Sequence, residues 1–190
     1  MDSFSAYQNT IRPTAIYANV NNGARAHSAR LTMAALDLCV HAGAIADKSK
    51  KVVRDDNGTL TDEKRDFIAA RAEAAVNAAE AVVRAETAVP LPDLAPEDEV
   101  TALKLSYLAL GLCGESSEVA EKIVAVLENG GTLTDEARRG IISEVGDTLW
   151  YLTRLVDELG SHMGEVARSN LDKVTSRRAR GVSQGSGDDR

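Results

Sequence analysis

Leu108-Ala-Leu-Gly-Leu-Cys-Gly-Glu115-Ser-Ser-Glu118-Val-Ala-Glu-Lys-Ile-Val-Ala-Val126 decides how this chain is read. Leu108, Leu112, Val119, Ile123 and Val126 recur every three or four positions, the period of one face of an α-helix. Glu115 falls on that same apolar face. A lone carboxylate there is unfavourable, because a buried charge without a partner raises its own pKa or destabilises the fold. A bound cation removes the difficulty. Glu118, three residues on, projects from the same side, so two carboxylates stand next to one another as a hard divalent ion requires.

A second acidic pair, Glu144-Val-Gly-Asp147, flanks another stripe: Ile141, Val145, Leu149, Leu152, Val156 and Leu159, with Tyr151 one turn further. Gly130-Gly131 lies between the two segments and suits a sharp reversal. Antiparallel packing across that turn would set the two pairs opposite one another. Glu115, Glu118, Glu144 and Asp147 are therefore the candidate metal ligands. With no histidine or cysteine near them, zinc and iron are disfavoured, and all-carboxylate ligation points to Mg²⁺ or Mn²⁺. An ExxE spacing is common on solvated helices as plain surface charge; Glu115 on the apolar seam sets this one apart.

Composition narrows the class. At 190 residues and 44% hydrophobic, the chain can bury a core as one domain or two small ones. A net charge of −7 argues against nonspecific nucleic-acid binding, which depends on basic residues neutralising phosphates. Cysteine is scarce, with Cys39 and Cys113 alone, and the N-terminal residues lack the charged and apolar regions of a secretory signal. A reduced, cytoplasmic protein is expected. No apolar run approaches the roughly 18–20 residues of a membrane span, so no membrane partner is expected and Asn57-Gly-Thr59 is an accidental sequon.

Ala-rich helical periodicity runs almost throughout, and three of the four prolines sit in Pro90-Leu-Pro92-Asp-Leu-Ala-Pro96. Helices are expected over 24–54, 62–87, 98–128, 135–159 and 162–179, after a short N-terminal helix or arm. Thr61-Asp-Glu63 and Thr134-Asp-Glu136 each place a capping hydroxyl before acidic first-turn residues. The organisation expected is an arm over 1–22, a helix hairpin over 23–89, a Pro-rich linker over 90–97, metal-binding helices over 98–181 and a flexible tail over 182–190, folded together as one compact unit.

An internal repeat underlies that division. Gly58-Thr-Leu-Thr-Asp-Glu63 recurs unchanged as Gly131-Thr-Leu-Thr-Asp-Glu136, and Ala35-Leu-Asp-Leu-Cys39 parallels Ala109-Leu-Gly-Leu-Cys113. One single-residue gap near Asp55 aligns both blocks. In that alignment His41 corresponds to Glu115, Ala44 to Glu118, Arg71 to Glu144 and Ala74 to Asp147. The fold expected is all-α, a helical bundle built from two related hairpins as a pseudo-dimer, with Leu36, Val52 and Ile68 buried like Leu110, Val126 and Ile141. His41, Ala44, Arg71 and Ala74 would surround a pseudo-site without metal.

Lys122, four residues after Glu118, is placed to hold a phosphate or to neutralise Glu118. Asn170, Lys173 and Arg177 lie in a basic C-terminal segment that offers further phosphate donors, or cations that complement a helix dipole. Trp150 and Tyr151 could stack a base, though aromatics on a core helix commonly serve packing. His27, His41 and His162 show no metal or triad spacing and are read as structural. No Walker loop, GxSxG elbow or cysteine site is present.

The ExxE–spacer–ExxD signature resembles that of the MazG-like all-α nucleoside triphosphate pyrophosphohydrolases, especially short phage-encoded members. Further agreement lies in Tyr7-Gln8 with Thr14-Ala-Ile-Tyr17, in Tyr107 to Glu115, in Glu144 to Leu152, in the Asn170/Lys173/Arg177 set and in the tail Gly185 to Arg190. The resemblance covers the arm and about residues 104–190; residues 23–96 are a departure from it. It implies Mg²⁺-dependent hydrolysis of ribo- or deoxynucleoside triphosphates between the α and β phosphates, with Mn²⁺ able to substitute. Glu115, Glu118 and Lys122 would be catalytic, while Lys122, Lys173 and Arg177 would counter phosphate charge alongside Asn170. It implies too that family members pair their hairpins as dimers, so the acid-free copy would replace a partner subunit, and the pseudo-dimeric chains could form a homo-oligomer. Two rivals are a dUTP-specific or phosphoribosyl-ATP hydrolase of the same superfamily, and a non-catalytic helical interaction protein.

Overall fold

The computed structural model describes residues 3–15, 25–84 and 95–182, and every regular element in them is helical. Helix α1 spans Ser3–Ile11 and runs into a single 3₁₀ turn, Arg12–Thr14; α2 spans Arg25–Asp55, α3 Asp62–Arg84, α4 Pro96–Glu128, α5 Asp135–Glu158 and α6 Met163–Ala179. The expectations for residues 16–24, 85–94 and 183–190, which include Tyr17, most of the Pro-rich linker and the tail, lie outside the described residues. Where linker and helix overlap, the helix prevails. Pro96 opens α4 because proline at the first position loses no helical hydrogen bond and has its φ already set.

The chain divides into two compact units: Met1–Arg25 with Pro92–Met163, and Ala26–Leu91 with Gly164–Arg190. Helix α6, which the sequence reading grouped with 98–159, thus clusters with α2 and α3.

In the first unit α4 and α5 form a hairpin against which α1 packs. The turn is made by Gly130 and Gly131, both at positive φ, and the Gly131 amide donates back to the Val126 carbonyl at 2.9 Å. Thr134 then caps α5 by accepting from the Ala137 amide at 3.1 Å, with Asp135 and Glu136 in the first turn. The two helices approach closely at Gly111, where a Cβ would lie 2.0 Å from Tyr151 Cε1. Leu108, Thr153 and Val156 are buried here. Ile123, Val145, Leu152 and Leu159 are exposed, which corrects part of the apolar stripes expected to face the core.

In the second unit the repeated hexapeptide occupies the equivalent hairpin turn. Asn57 and Gly58 carry positive φ, the Gly58 amide donates to the Val52 carbonyl at 3.1 Å, and Thr61 Oγ1 accepts from the Lys64 amide. Val52 is buried, as expected, whereas Leu36 and Ile68 are half-buried like Leu110, Val126 and Ile141. From Val52 to Gly58 the chain has one more residue than from Val126 to Gly131, which locates the gap in the repeat at this turn. Eighteen residues within the α2 stretch Ala29–Asp55 reach mean hydropathy 1.3, long and apolar enough for a membrane span by length and composition only. Leucine, valine, isoleucine and alanine between Leu31 and Ala46 cause this, although Asp37 and His41 within it make polar contacts.

Candidate active site

Helix α4 presents Glu115 and Glu118, and α5 presents Glu144 across the hairpin. One carboxylate oxygen from each lies within 4.8 Å of those of the other two. Glu115 and Glu144 are half-buried and Glu118 is exposed. The Glu115 carboxyl is pushed above the ordinary range first by desolvation and then by the charges of Glu118, Asp147 and Glu144. Asp147 stands outside the tight triplet but close enough for its charge to act on Glu115, and it also raises the phenols of Tyr7 and Tyr151 after burial has done so. Three glutamates thus converge, with Asp147 near them, where the folded chain resists the charge of Glu115. A divalent cation reverses that balance, and three oxygens from two helices are a donor set that Mg²⁺ or Mn²⁺ accepts.

Lys122, one turn beyond Glu118 on α4, reaches across to Glu144 Oε1 at 3.2 Å. Its stem lies over Gly140, where a Cβ would sit 3.6 Å from Lys122 Cδ. Beside it a cavity of about 460 Å³ runs to the hairpin turn, lined by Lys122, Val126, Asn129, Thr132, Thr134 and Gly140 among others. That volume lies within the range of small-molecule sites.

The aromatic candidates are engaged in packing. Trp150 donates its indole N–H to Thr14 Oγ1 at 3.0 Å and meets the Tyr151 ring edge-on, with centroids 4.8 Å apart. The Tyr151 ring lies against Gly111, and its hydroxyl shares a hydrogen bond with Tyr107. Burial, that bond and the nearby acids push the Tyr151 phenol up to about 12. Asn170, Lys173 and Arg177 lie on α6 in the other unit, the first two exposed and Arg177 half-buried.

Sequence reasoning missed what holds the arm in place. Gln8 is buried, and Asp157 accepts hydrogen bonds from Gln8, Arg12 and the buried Arg154. Those contacts keep the Asp157 carboxyl well below the usual carboxylate range, Arg12 contributing most. They also fix α1, and with it Tyr7, near the acids. The Arg154-x-x-Asp157-Glu158 spacing was the available signal, since it puts both acids within reach of one guanidinium on a helix.

The acids, the lysine and the cavity gather on the α4–α5 hairpin, and it is this part of the chain that known proteins match. A family model, MazG nucleotide pyrophosphohydrolase domain, covers residues 104–182. Over 87 residues the chain is 42% identical to the Gene 37 protein of Mycobacterium phage L5, an overlap of 45% of this chain and 76% of that protein. No solved structure matches the chain. With the signature acids brought together on an all-helical hairpin, the chain belongs to the MazG nucleotide pyrophosphohydrolase family.

Proposed function

We propose that this protein hydrolyses ribo- or deoxynucleoside triphosphates to monophosphate and pyrophosphate with Mg²⁺, and that Mn²⁺ can replace it. The observation that carries the reading is the triplet of glutamate oxygens within 4.8 Å, joined by Asp147 and raised at Glu115. Glu115, Glu118, Glu144 and Asp147 would hold the ion, which when bound supplies charge to offset that developing on the phosphates and lowers the pKa of water. Lys122, already turned toward Glu144, would meet a phosphate oxygen as a mobile point charge. The cavity beside Lys122 offers room for part of the nucleotide. From the resemblance, Asn170, Lys173 and Arg177 are proposed as further phosphate-binding residues. Trp150 and Tyr151 are the proposed contacts for a base, the first hydrogen-bonded to Thr14 and the second to Tyr107 in the folded chain.

The proposal includes the setting. The reaction is proposed to modify a nucleotide pool, in a host cytoplasm if this chain, like its relative in Mycobacterium phage L5, is phage-encoded. The acid-free first hairpin is proposed to stand in for a partner subunit, which the solution mass of a chain lacking 23–89 tests: a stable active monomer would overturn it. For the activity, a panel of ribo- and deoxynucleoside triphosphates with Mg²⁺ or Mn²⁺ is incubated with the enzyme and the products are resolved. Monophosphate and pyrophosphate are expected. Orthophosphate as the primary product, or turnover indifferent to chelator, would overturn the proposal. The same panel separates a dUTP-specific enzyme, and assay with phosphoribosyl-ATP separates the other superfamily reading.

A further inference from the structure

The repeat predicts which residues of the first hairpin take the places of the acids, and the structure shows what those residues do. Glu115 and Glu144 approach across the α4–α5 hairpin; their counterparts, His41 on α2 and Arg71 on α3, approach across theirs. Arg71 Nη1 donates to His41 Nδ1 at 3.0 Å. Because arginine only donates, that ring nitrogen is the acceptor and the ring proton sits on Nε2, which faces Asp37 Oδ1 at 3.5 Å. The correspondence continues one turn on. Lys48 aligns with Lys122 and Phe67 with Gly140, and Lys48 Nζ lies 4.2 Å from the centroid of the Phe67 ring as Lys122 lies over Gly140. The Arg71 guanidinium carbon is 5.5 Å from the same centroid.

Two cations from two helices therefore share one aromatic ring. Among the described residues neither pairs with a carboxylate, in a chain where acids outnumber basic residues 29 to 22. Asp37 reaches only the far nitrogen of His41 and serves to aim Nδ1 at Arg71. Ring contacts offset part of the repulsion between the cations but supply no anion. We propose that Lys48 and Arg71, the latter positioned by His41, bind a phosphate group directly. In the acidic hairpin a metal must intervene between carboxylates and phosphate. Here Arg71, in the place of Glu144, carries positive charge itself, and with Lys48 at the same ring it offers a guanidinium and an ammonium to the oxygens of a phosphate. The inference rests on α2 and α3 alone and stands whether or not the acids are catalytic.

The test is calorimetric titration of the full chain in excess chelator, so that the acids hold no metal, with orthophosphate, pyrophosphate and an α,β-methylene nucleoside triphosphate as separate arms. At least one arm is expected to show saturable binding at one site per chain, and the arm that binds tightest names the source of the phosphate. The double variant Lys48→Met, Arg71→Met should weaken it about tenfold or more, since each lost charge-assisted hydrogen bond is a large share of such an affinity. NMR of the unsubstituted chain gives a reading independent of the variants' folding: His41 ring resonances should move during the titration and those of His162 should not. Absence of saturable binding in all three arms, unchanged affinity in the double variant, or movement at His162 alone would overturn the proposal.

Discussion

Gln8 Nε2 donates to Asp157 Oδ1 at 3.1 Å across almost the whole length of the chain. The same amide nitrogen donates to the Ser161 carbonyl at 2.9 Å, and Gln8 Oε1 accepts from the Met163 amide at 3.1 Å. One buried side chain thus joins the arm to the end of α5 and the start of α6.

Replacing Gln8 with alanine should lower stability by about 2–3 kcal/mol, because buried partners lose their hydrogen bonds with no water to replace them. Denaturant unfolding measures this. A change near zero would show that the arm contributes little to the folded state.

Asp157 makes stability depend on acid. Its folded pKa lies below the unfolded value because Arg12 above all, then Gln8 and Arg154, favour the carboxylate against the opposing effect of burial. The stabilisation is complete above the unfolded value of about 3.9 and is lost as pH falls below it toward the folded value. Asp157→Asn should be less stable than the natural chain at neutral pH, and the difference should shrink as pH falls through that window. A constant difference would contradict the assignment.

Two helical glycines should respond in opposite ways to alanine. At Gly111 the new Cβ meets the Tyr151 ring, and overpacking of about 1–3 kcal/mol outweighs the helix-propensity gain of about 1 kcal/mol. A net loss of about 1 kcal/mol is expected. At exposed Gly114 nothing lies within 4 Å, so Gly114→Ala should stabilise by about 0.5–1 kcal/mol. Thermal unfolding without divalent metal compares them, and equal signs would refute the packing argument.

Glu115→Gln and Asp147→Asn should each reduce turnover by about a hundredfold or more through loss of a proposed ligand. Without metal the fold should survive, and Glu115→Gln should remove a charge that desolvation and three neighbouring acids disfavour. For the unsubstituted protein, Mn²⁺ affinity should fall as pH drops through the raised range of Glu115, since the proton then competes with the metal. Turnover at the natural rate in either variant would rule out the ligand set.

Lys173→Ala and Arg177→Ala should raise KM or lower kcat while Mn²⁺ binding without nucleotide stays constant, as expected of groups that meet phosphate. Loss of Mn²⁺ binding would contradict that role.

Helical period and turn chemistry made most of the elements readable: Thr134 caps α5, Gly131 closes its turn, and the glutamates meet across it. Pro96 was assigned to the linker because proline clusters signal breaks, and only its position at the first turn distinguishes a start from a stop. Gln8 and Arg12 were not legible as partners of Asp157, because polar contacts across more than a hundred residues leave no periodic trace. Ile123 and Val145 fit the apolar period yet are exposed, since periodicity names a face and not what covers it. The His41–Arg71 contact was foreshadowed by alignment of the repeat, although the histidine alone carried no signal.

Gly140 and Phe67, which the repeat aligns, show how far two similar hairpins can differ at one position. Where the second hairpin has a hydrogen atom in place of a side chain, its lysine lies flat and space remains beside it; where the first has a benzyl group, the lysine rests on a ring. Copies made in separate chains of a homodimer must change together, since both come from one coding sequence. Joined in tandem, each is free to drift, and a residue that would ruin one can be kept in the other.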